Sequence, residues 1–221
     1  MLLFIKMVLI FDSNNTFCIS LASHEQRWEK MKQRFFLFDM SVSRWLASVV
    51  PIDNFHHELN DGQKGCAQSH ISIWRHIVQH NLEYAMIIED DACFDKSWRE
   101  RLKIIEESGI VGWDAIFLNV SEPISPMHTW SKVYGDQYLT GGYIISLQGA
   151  KKILAMFEGY FYSSDWMTTR LQTYGNSYSY FPWLIIQEGN ESTIGSGVEA
   201  DHAKVLRCLR DANYSLDNYV I

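Results

Sequence analysis

Only four cysteines occur in these 221 residues, Cys18, Cys66, Cys93 and Cys208, and no two form a close pair or a metal-ligand spacing. That scarcity leaves no disulfide framework to read, and reduced thiols in a cytoplasmic setting are the simplest expectation. Positive charge is also short, with 19 Lys and Arg against 26 Asp and Glu for a net charge of −7. A chain whose main partner is nucleic acid usually shows a basic face, so that class is set aside. No Gly-x-x-x-x-Gly-Lys-Ser/Thr loop occurs, which removes an ATPase reading. No internal repeat, low-complexity tract or Pro/Gly-rich linker divides the chain. No apolar run is long enough for a bilayer, which takes about 20 residues. Met1–Phe11 comes nearest, but Lys6 interrupts it. It lacks a small-residue cleavage site, which argues against a signal peptide. Residues 1–15 are expected to form an extra strand or a loose extension ahead of one domain over 16–221, with a weak interfacial membrane contact as a further option. The triplet Asn190-Glu191-Ser192 carries no weight as a glycosylation site without a secretory signal.

What the chain has is a core and one unusual acidic element. Hydrophobic residues make up 47% of the sequence and aromatics 14%, enough to bury a substantial core and to exclude disorder. Tyr84-Ala-Met-Ile-Ile runs straight into Glu89-Asp90-Asp91. Folding does not ask for three adjacent carboxylates at a strand end. Like charges in a low-dielectric setting stay ionised only if a metal, an Arg/Lys cluster or open water compensates them. Hard cations such as Mn²⁺ and Mg²⁺ prefer carboxylate oxygens and often use them to hold phosphates. The bland alternative is a strand ending in a solvated acidic turn.

Around it, strand and helix patterns alternate. Thr16–Leu21 is β-rich. Ser23 and Gln26 have capping-box spacing ahead of Trp28, Met31 and Phe35 on one helical face. Apolar positions 71, 74, 77 and 78 mark a helix over 67–80 before the strand 84–88. Trp98, Leu102 and Ile105 mark a helix, 114–119 a strand, 141–147 a strand, and Ala150, Ile153, Leu154 and Phe157 the helix after it. Met167, Leu171 and Tyr174 mark a shorter helix, strands follow at 178–181 and 184–187, and Val205, Leu206 and Leu209 a terminal helix. Such alternation predicts an α/β fold with a mostly parallel sheet flanked by helices. Ligands of such sheets bind beyond the carboxyl ends of strands, where Glu89–Asp91 falls.

Gly65-Cys66-x-x-Ser69-His70, a helix, and a strand ending Glu89-Asp90-Asp91 resemble glycosyltransferase family 25, which includes lipooligosaccharide sugar transferases and collagen galactosyltransferases. Phe17-Cys-Ile-Ser20-Leu21 with Gln26-Arg27-Trp28, Thr140-Gly141-Gly142-Tyr143, and Ser164-Asp165-Trp166 resemble further family segments in the same order, covering residues 16–195. Gln63 and Lys64 stand where the family pattern leads one to expect a glutamate. The resemblance implies a GT-A-like nucleotide-sugar fold and an inverting, metal-assisted transfer of galactose or glucose from a UDP-sugar to a sugar hydroxyl of a lipooligosaccharide or lipopolysaccharide acceptor; a cytoplasmic location is expected, with peripheral contact at the inner membrane as an option.

On that basis Asp91 is the direct ligand for Mn²⁺ (or Mg²⁺), Asp90 a second ligand or ribose contact, and Glu89 a supporting hydrogen bond. Ser20, Leu21, Arg27, Ser69, His70, Gly141 and Gly142 join them in donor binding. Arg27 would face the diphosphate, its competing role being a surface arginine among Lys30, Lys32 and Arg34. Ser69 and His70, read as a helix start, would offer donor contacts or simply a cap and a filled polar gap. The glycines would let backbone approach the donor sugar, or be turn glycines. Asp165 is the candidate base, or an N-cap; Glu188 is the alternative base. Trp166 could face a sugar ring. Membrane contact would use the apolar amino terminus or the clusters Arg27–Arg34 and Lys151–Lys152. Two other classes compete: a receiver domain, disfavoured by Asn119 in place of aspartate, and a nucleotide-sugar binder of the same fold that has lost catalysis.

Overall fold

The computed structural model describes residues 8–48, 54–124, 126–189 and 198–221. In chain order the elements are β1 (Thr16–Ser20), α1 (Glu25–Leu37), β2 (Ser43–Leu46), α2 (Asp61–His80), β3 (Tyr84–Glu89), β4 (Ala92–Phe94), α3 (Trp98–Glu107), β5 (Ala115–Phe117), β6 (Thr129–Lys132), β7 (Gly142–Ser146), α4 (Leu147–Met156), α5 (Ser164–Tyr174), β8 (Ser177–Phe181), β9 (Ile185–Gln187) and α6 (Val198–Asp211). Seven strands form one sheet in the order β2-β1-β3-β7-β5-β8-β6, and β4 pairs with β9 in a second. Strands β2, β1, β3, β5 and β8 share a direction, while β7 and β6 run against it. The α/β, GT-A-like architecture is the expected one. Its sheet is more mixed than the alternation alone implied, because β7 lies antiparallel between β3 and β5.

Side chains alternate across the pleat, so each central strand feeds two cores. Ala85 and Ile87 of β3 join Ile71, Trp74 and Ile77 of α2, Ile153 of α4 and Met167 and Leu171 of α5. Met86 and Ile88 point the other way, to Met31 and Phe35 of α1 and Trp98, Leu102 and Ile105 of α3. Burial on both faces explains why β3 reads as an unbroken apolar run.

Several boundaries depart from expectation. Helix α2 starts six residues before position 67: Asn60 accepts from the Gln63 backbone N–H at 2.9 Å, and the Gln63 side chain accepts from the Asn60 N–H at 3.0 Å. Gln63 is thus the N3 partner of a capping box, which gives this position a structural role. The box expected at Ser23 and Gln26 does not form; His24 precedes α1 without a side-chain cap. The short strands β2, β4 and β6 lacked a legible pattern. Residues 8–15 form no strand, yet they dock: Leu9 is buried and Phe11 packs on Tyr84 and Trp98. Residues 1–7 of the apolar terminus and the triplet at 190–192 lie outside the described residues. Among the described residues no helix is long and apolar enough to cross a membrane.

Candidate active site at the end of strand β3

Strands β1 and β3 are parallel neighbours, with Ile19 beside Glu89, so Ser20, Leu21 and the acidic turn emerge at one edge. On the β1 side the site is charged. Arg27 of α1 reaches Asp90 at 2.7 Å and Asp91 at 3.7 Å. Arg44 of β2 donates to the Leu21 carbonyl at 2.8 Å and to Ser20 Oγ at 3.4 Å, and pairs with Glu25. Burial pushes the Asp90 carboxyl up although Arg27 opposes it. Burial and the charge of Glu89 push Asp91 further, to about 7. One guanidinium therefore under-compensates this turn, the condition that a bound cation relieves.

On the α2 side the site is buried and hydrogen-bonded. An indole N–H can only donate, so Trp74 Nε1 gives its proton to Tyr143 Oη at 2.9 Å. The Tyr143 hydroxyl in turn pairs with His70 Nδ1 at 2.8 Å, and His70 Nε2–H donates to the Glu89 carboxylate at Oε1, 3.2 Å away. Thr140 Oγ1 adds a bond to the same oxygen at 2.8 Å, and Gln187 Nε2 reaches Glu89 Oε2 at 3.1 Å. Burial raises the Glu89 carboxyl, but the His70 and Thr140 hydrogen bonds and the charge of Arg27 outweigh it and hold the group below its ordinary value.

The predicted residues therefore divide. Ser20, Leu21, Arg27, Asp90 and Asp91 come together, whereas Glu89 turns inward. Ser69 and His70 do not start a helix; they sit inside α2, both fully buried. Ser69 Oγ donates to the Gly65 carbonyl and accepts from the Ser48 N–H, and a Cβ on Gly65 would lie 2.5 Å from the Ser48 carbonyl oxygen. This block clamps the segment after β2 onto α2 and steadies Glu89, so it offers no surface to donor oxygens. Gly141 and Gly142 permit a close approach, but to the protein itself. A Cβ on Gly141 would meet Gln187 at 2.6 Å, and one on Gly142 would meet Ile185 at 2.6 Å.

Asp165 lies at the first turn of α5 behind the N-cap Ser163, half-buried, and accepts the Trp166 N–H at 2.8 Å. Its neighbour Ser164 contacts Thr140 Oγ1 at 3.2 Å, which links this turn to Glu89. Glu188 is held by the buried Arg34 at 2.7 Å and by Lys30. Although burial opposes them, these cations hold its carboxyl below the ordinary value, and so it makes a poor base. Trp166 has Tyr162 at 4.1 Å and the Arg170 guanidinium at 4.4 Å from its ring centre. Two groups that close cannot share one face, so no face remains for a sugar. Much of the basic run pairs internally: Arg27, Lys30 and Arg34 as above, Lys32 with Glu29, and Lys152 with Asp114, while Lys151 is exposed.

Sequence reasoning missed Gln187, whose Nε2 also lies 3.4 Å from both Asp91 oxygens. The signal was present in Ile185-Ile186-Gln187-Glu188, an apolar strand ending in polar residues as β3 does. Cys66, His70 and Glu89 bring ligand atoms within 4.8 Å of one another, a spacing compatible with a divalent metal. Burial and the charge of Glu89 drive the Cys66 thiol well above its ordinary value, and both His70 nitrogens are engaged. Protonated sulfur and committed imidazole suit a hydrogen-bonded network, whereas the oxygens of Asp90 and Asp91 suit a hard cation.

Comparison with known proteins gives a consistent result. Residues 13–122 match the family described as "Glycosyltransferase family 25 (LPS biosynthesis protein)". The procollagen galactosyltransferase 1-B of Xenopus laevis is 31% identical over 170 residues, 64% of this chain and 28% of its own length. The inactive glycosyltransferase 25 family member 3 of Mus musculus is 34% identical over 173 residues, 64% of this chain and 29% of its own length. The procollagen galactosyltransferase 1 of Danio rerio is 36% identical over 115 residues, 46% of this chain and 19% of its own length. The chain thus spans less than a third of these relatives.

Proposed function

Because the chain belongs to glycosyltransferase family 25, we propose that it transfers galactose, or glucose, from a UDP-sugar to a saccharide hydroxyl, with inversion at the anomeric carbon. The observation that carries this is the half-buried acidic turn at the β1/β3 edge, with Asp91 pushed up to about 7 and, among the described residues, Arg27 as the one cation paired with it and Asp90. Asp91, with Asp90, would hold a divalent cation (Mn²⁺ or Mg²⁺), whose chemistry when bound is Lewis-acid stabilisation of the departing diphosphate. Arg27, paired with Asp90 and Asp91, would add a fixed positive charge toward the diphosphate. Ser20, Leu21 and Arg44 shape the β1 side of the nucleotide site. Glu89 does not touch the donor; fixed by His70 and Thr140, it orients Gln187 and through it Asp91.

Asp165 takes the proton from the acceptor hydroxyl. It is half-buried, and among the described residues it carries no cation partner of the kind that disables Glu188. For the acceptor we propose a lipooligosaccharide or other glycolipid sugar on the cytoplasmic side of a membrane. Procollagen, named in similar relatives, is the competing acceptor to assay beside it. A binder without turnover is the second reading, favoured by the similarity to relatives named inactive. The presence of Asp90, Asp91 and Asp165 favours the enzyme.

The deciding experiment is calorimetric titration of UDP-galactose and UDP-glucose into wild type and Asp91→Asn, with and without Mn²⁺. Metal-dependent binding of one donor, lost in the variant, is expected. Binding indifferent to both metal and substitution would move the donor site away from this turn. Donor binding without turnover on glycolipid or procollagen would favour the binder.

A further inference from the structure

A small cavity behind Gln187 is lined by Asn119, Leu139, Ile186, Gln187, Gly189 and His202. Asn119 follows β5 and is 2% exposed. Its Oδ1 accepts the Gly142 N–H at 3.2 Å, and that bond fixes the amide, because a flipped amide would set two donors face to face. The Nδ2 group is thereby turned away from β7, and among the described residues it has no hydrogen-bond partner. A buried amide left in this condition keeps its full desolvation cost, so something with an acceptor oxygen belongs opposite it. A Cβ on Gly141 would lie 3.0 Å from this nitrogen and 2.6 Å from Gln187, so the glycine is what lets the two amides pack at this wall.

The remaining walls support a ligand site. Leu139 holds a φ of +85°, a conformation that costs a bulky residue strain and that clusters at binding sites. His202 lies against Gly189, whose absent side chain makes room for the imidazole ring. Free space for the centre of a water-sized sphere is about 10 Å³, the room one oxygen needs. The cavity is therefore too small for a whole sugar and large enough for a single hydroxyl. Its position ties it to the donor site: Gln187 packs its stem on Gly141 and turns its amide to Asp91, so one glutamine side chain separates the cavity from the proposed diphosphate end.

Resting on the transferase reading above, we propose that this cavity is the specificity pocket for the transferred hexose. One sugar hydroxyl enters it and accepts the Asn119 Nδ2–H, while the neighbouring Gln187 couples that contact to Asp91. A site with a buried donor discriminates strongly against an analogue that lacks the matching oxygen, because the donor is left unpaired.

The test measures the affinities of UDP, UDP-galactose, UDP-glucose and their 3-, 4- and 6-deoxy analogues, in wild type and in Asn119→Ser and Asn119→Asp. In wild type one deoxy analogue should bind about tenfold or more weakly than its parent. That penalty should vanish in Asn119→Ser, with UDP affinity little changed and the thermal midpoint lowered by loss of the Gly142 hydrogen bond. Asn119→Asp keeps the Gly142 contact and inverts the polarity of the cavity, so it should weaken the parent sugar while sparing UDP. If every deoxy analogue matches its parent in wild type, the cavity holds water alone and the proposal falls. A penalty that persists unchanged in Asn119→Ser places the hydroxyl elsewhere and also overturns it. If wild type binds neither UDP nor any UDP-sugar, the donor reading itself fails, an outcome distinct from a pocket that binds UDP but ignores the hydroxyls. Should Asn119→Ser not fold, the wild-type deoxy series and Asn119→Asp decide the matter.

Discussion

The two sides of the acidic turn are built from opposite materials. Toward β1 and α1, Asp90 and Asp91 face the single guanidinium of Arg27 across partly exposed ion pairs. Toward α2 and β7, Glu89 ends a buried hydrogen-bonded chain of Trp74, Tyr143 and His70. Adjacent carboxylates in sequence thus carry different work. The inner one is locked and its proton affinity falls, while that of Asp91 rises. A charge that has to be exchanged for a ligand's is left under-compensated, and a charge that has to stay still is saturated with hydrogen bonds.

The contrast is sharpened most by substituting one residue on each side. Asp91→Asn should reduce transfer by about 10²–10³-fold, with a thermal midpoint equal to or above wild type, since it removes one of three crowded negative charges. His70→Phe should do the reverse. It strands the Tyr143 hydroxyl and one bond of Glu89, at a cost of about 3 kcal/mol, or about 6–12 °C in the midpoint of a domain this size. Melting curves and initial rates of both variants suffice. If Asp91→Asn unfolds the protein, or His70→Phe leaves the midpoint unchanged, the division between the two sides is wrong.

Asp165 extends the comparison to the acceptor. Asp165→Asn should lower transfer by about 10²–10⁴-fold while leaving nucleotide binding nearly intact. Transfer at even a tenth of the wild-type rate would remove it from the role of base.

How much of this was legible depends on where the determinants sit in the chain. Strand β3 and its acids were plain because both-face burial writes a continuous apolar run, and Arg27 was found through the local segment that follows β1. The start of α2 was hidden by Asp61-Gly62-Gln63-Lys64-Gly65, a polar opening with two glycines and little helix propensity. Its cause is tertiary: Gly65 is required where the Ser48 carbonyl crosses the helix. For the same reason Ser69 and His70 read as a helix start and proved to be interior. The glycines at 141 and 142 announced a close approach, but the partners, Gln187 and Ile185, are more than forty residues away and nothing local names them. Edge strand β6 is half-solvated and short, so its pattern is weak in any sequence.

The smallest expected effect concerns Trp166, where the aromatic and the acidic halves of the α5 start part company. Its indole is held between Tyr162 and Arg170, while His56 stacks on Tyr162 at 5.2 Å. His56 also donates its backbone N–H to the Phe161 carbonyl at 2.9 Å, so the column ties residues 55–56 to the approach of α5. Its work is to fix the turn that carries Asp165, with no ring face left for a saccharide. Trp166→Leu should therefore lower the thermal midpoint by a few degrees, about 1–2 kcal/mol, and reduce kcat modestly through the looser turn. KM for the acceptor should stay within about twofold, the change expected when no direct contact is lost. A tenfold rise in acceptor KM with an unaltered midpoint would show that the indole does meet the sugar, and that the stack opens when the acceptor arrives.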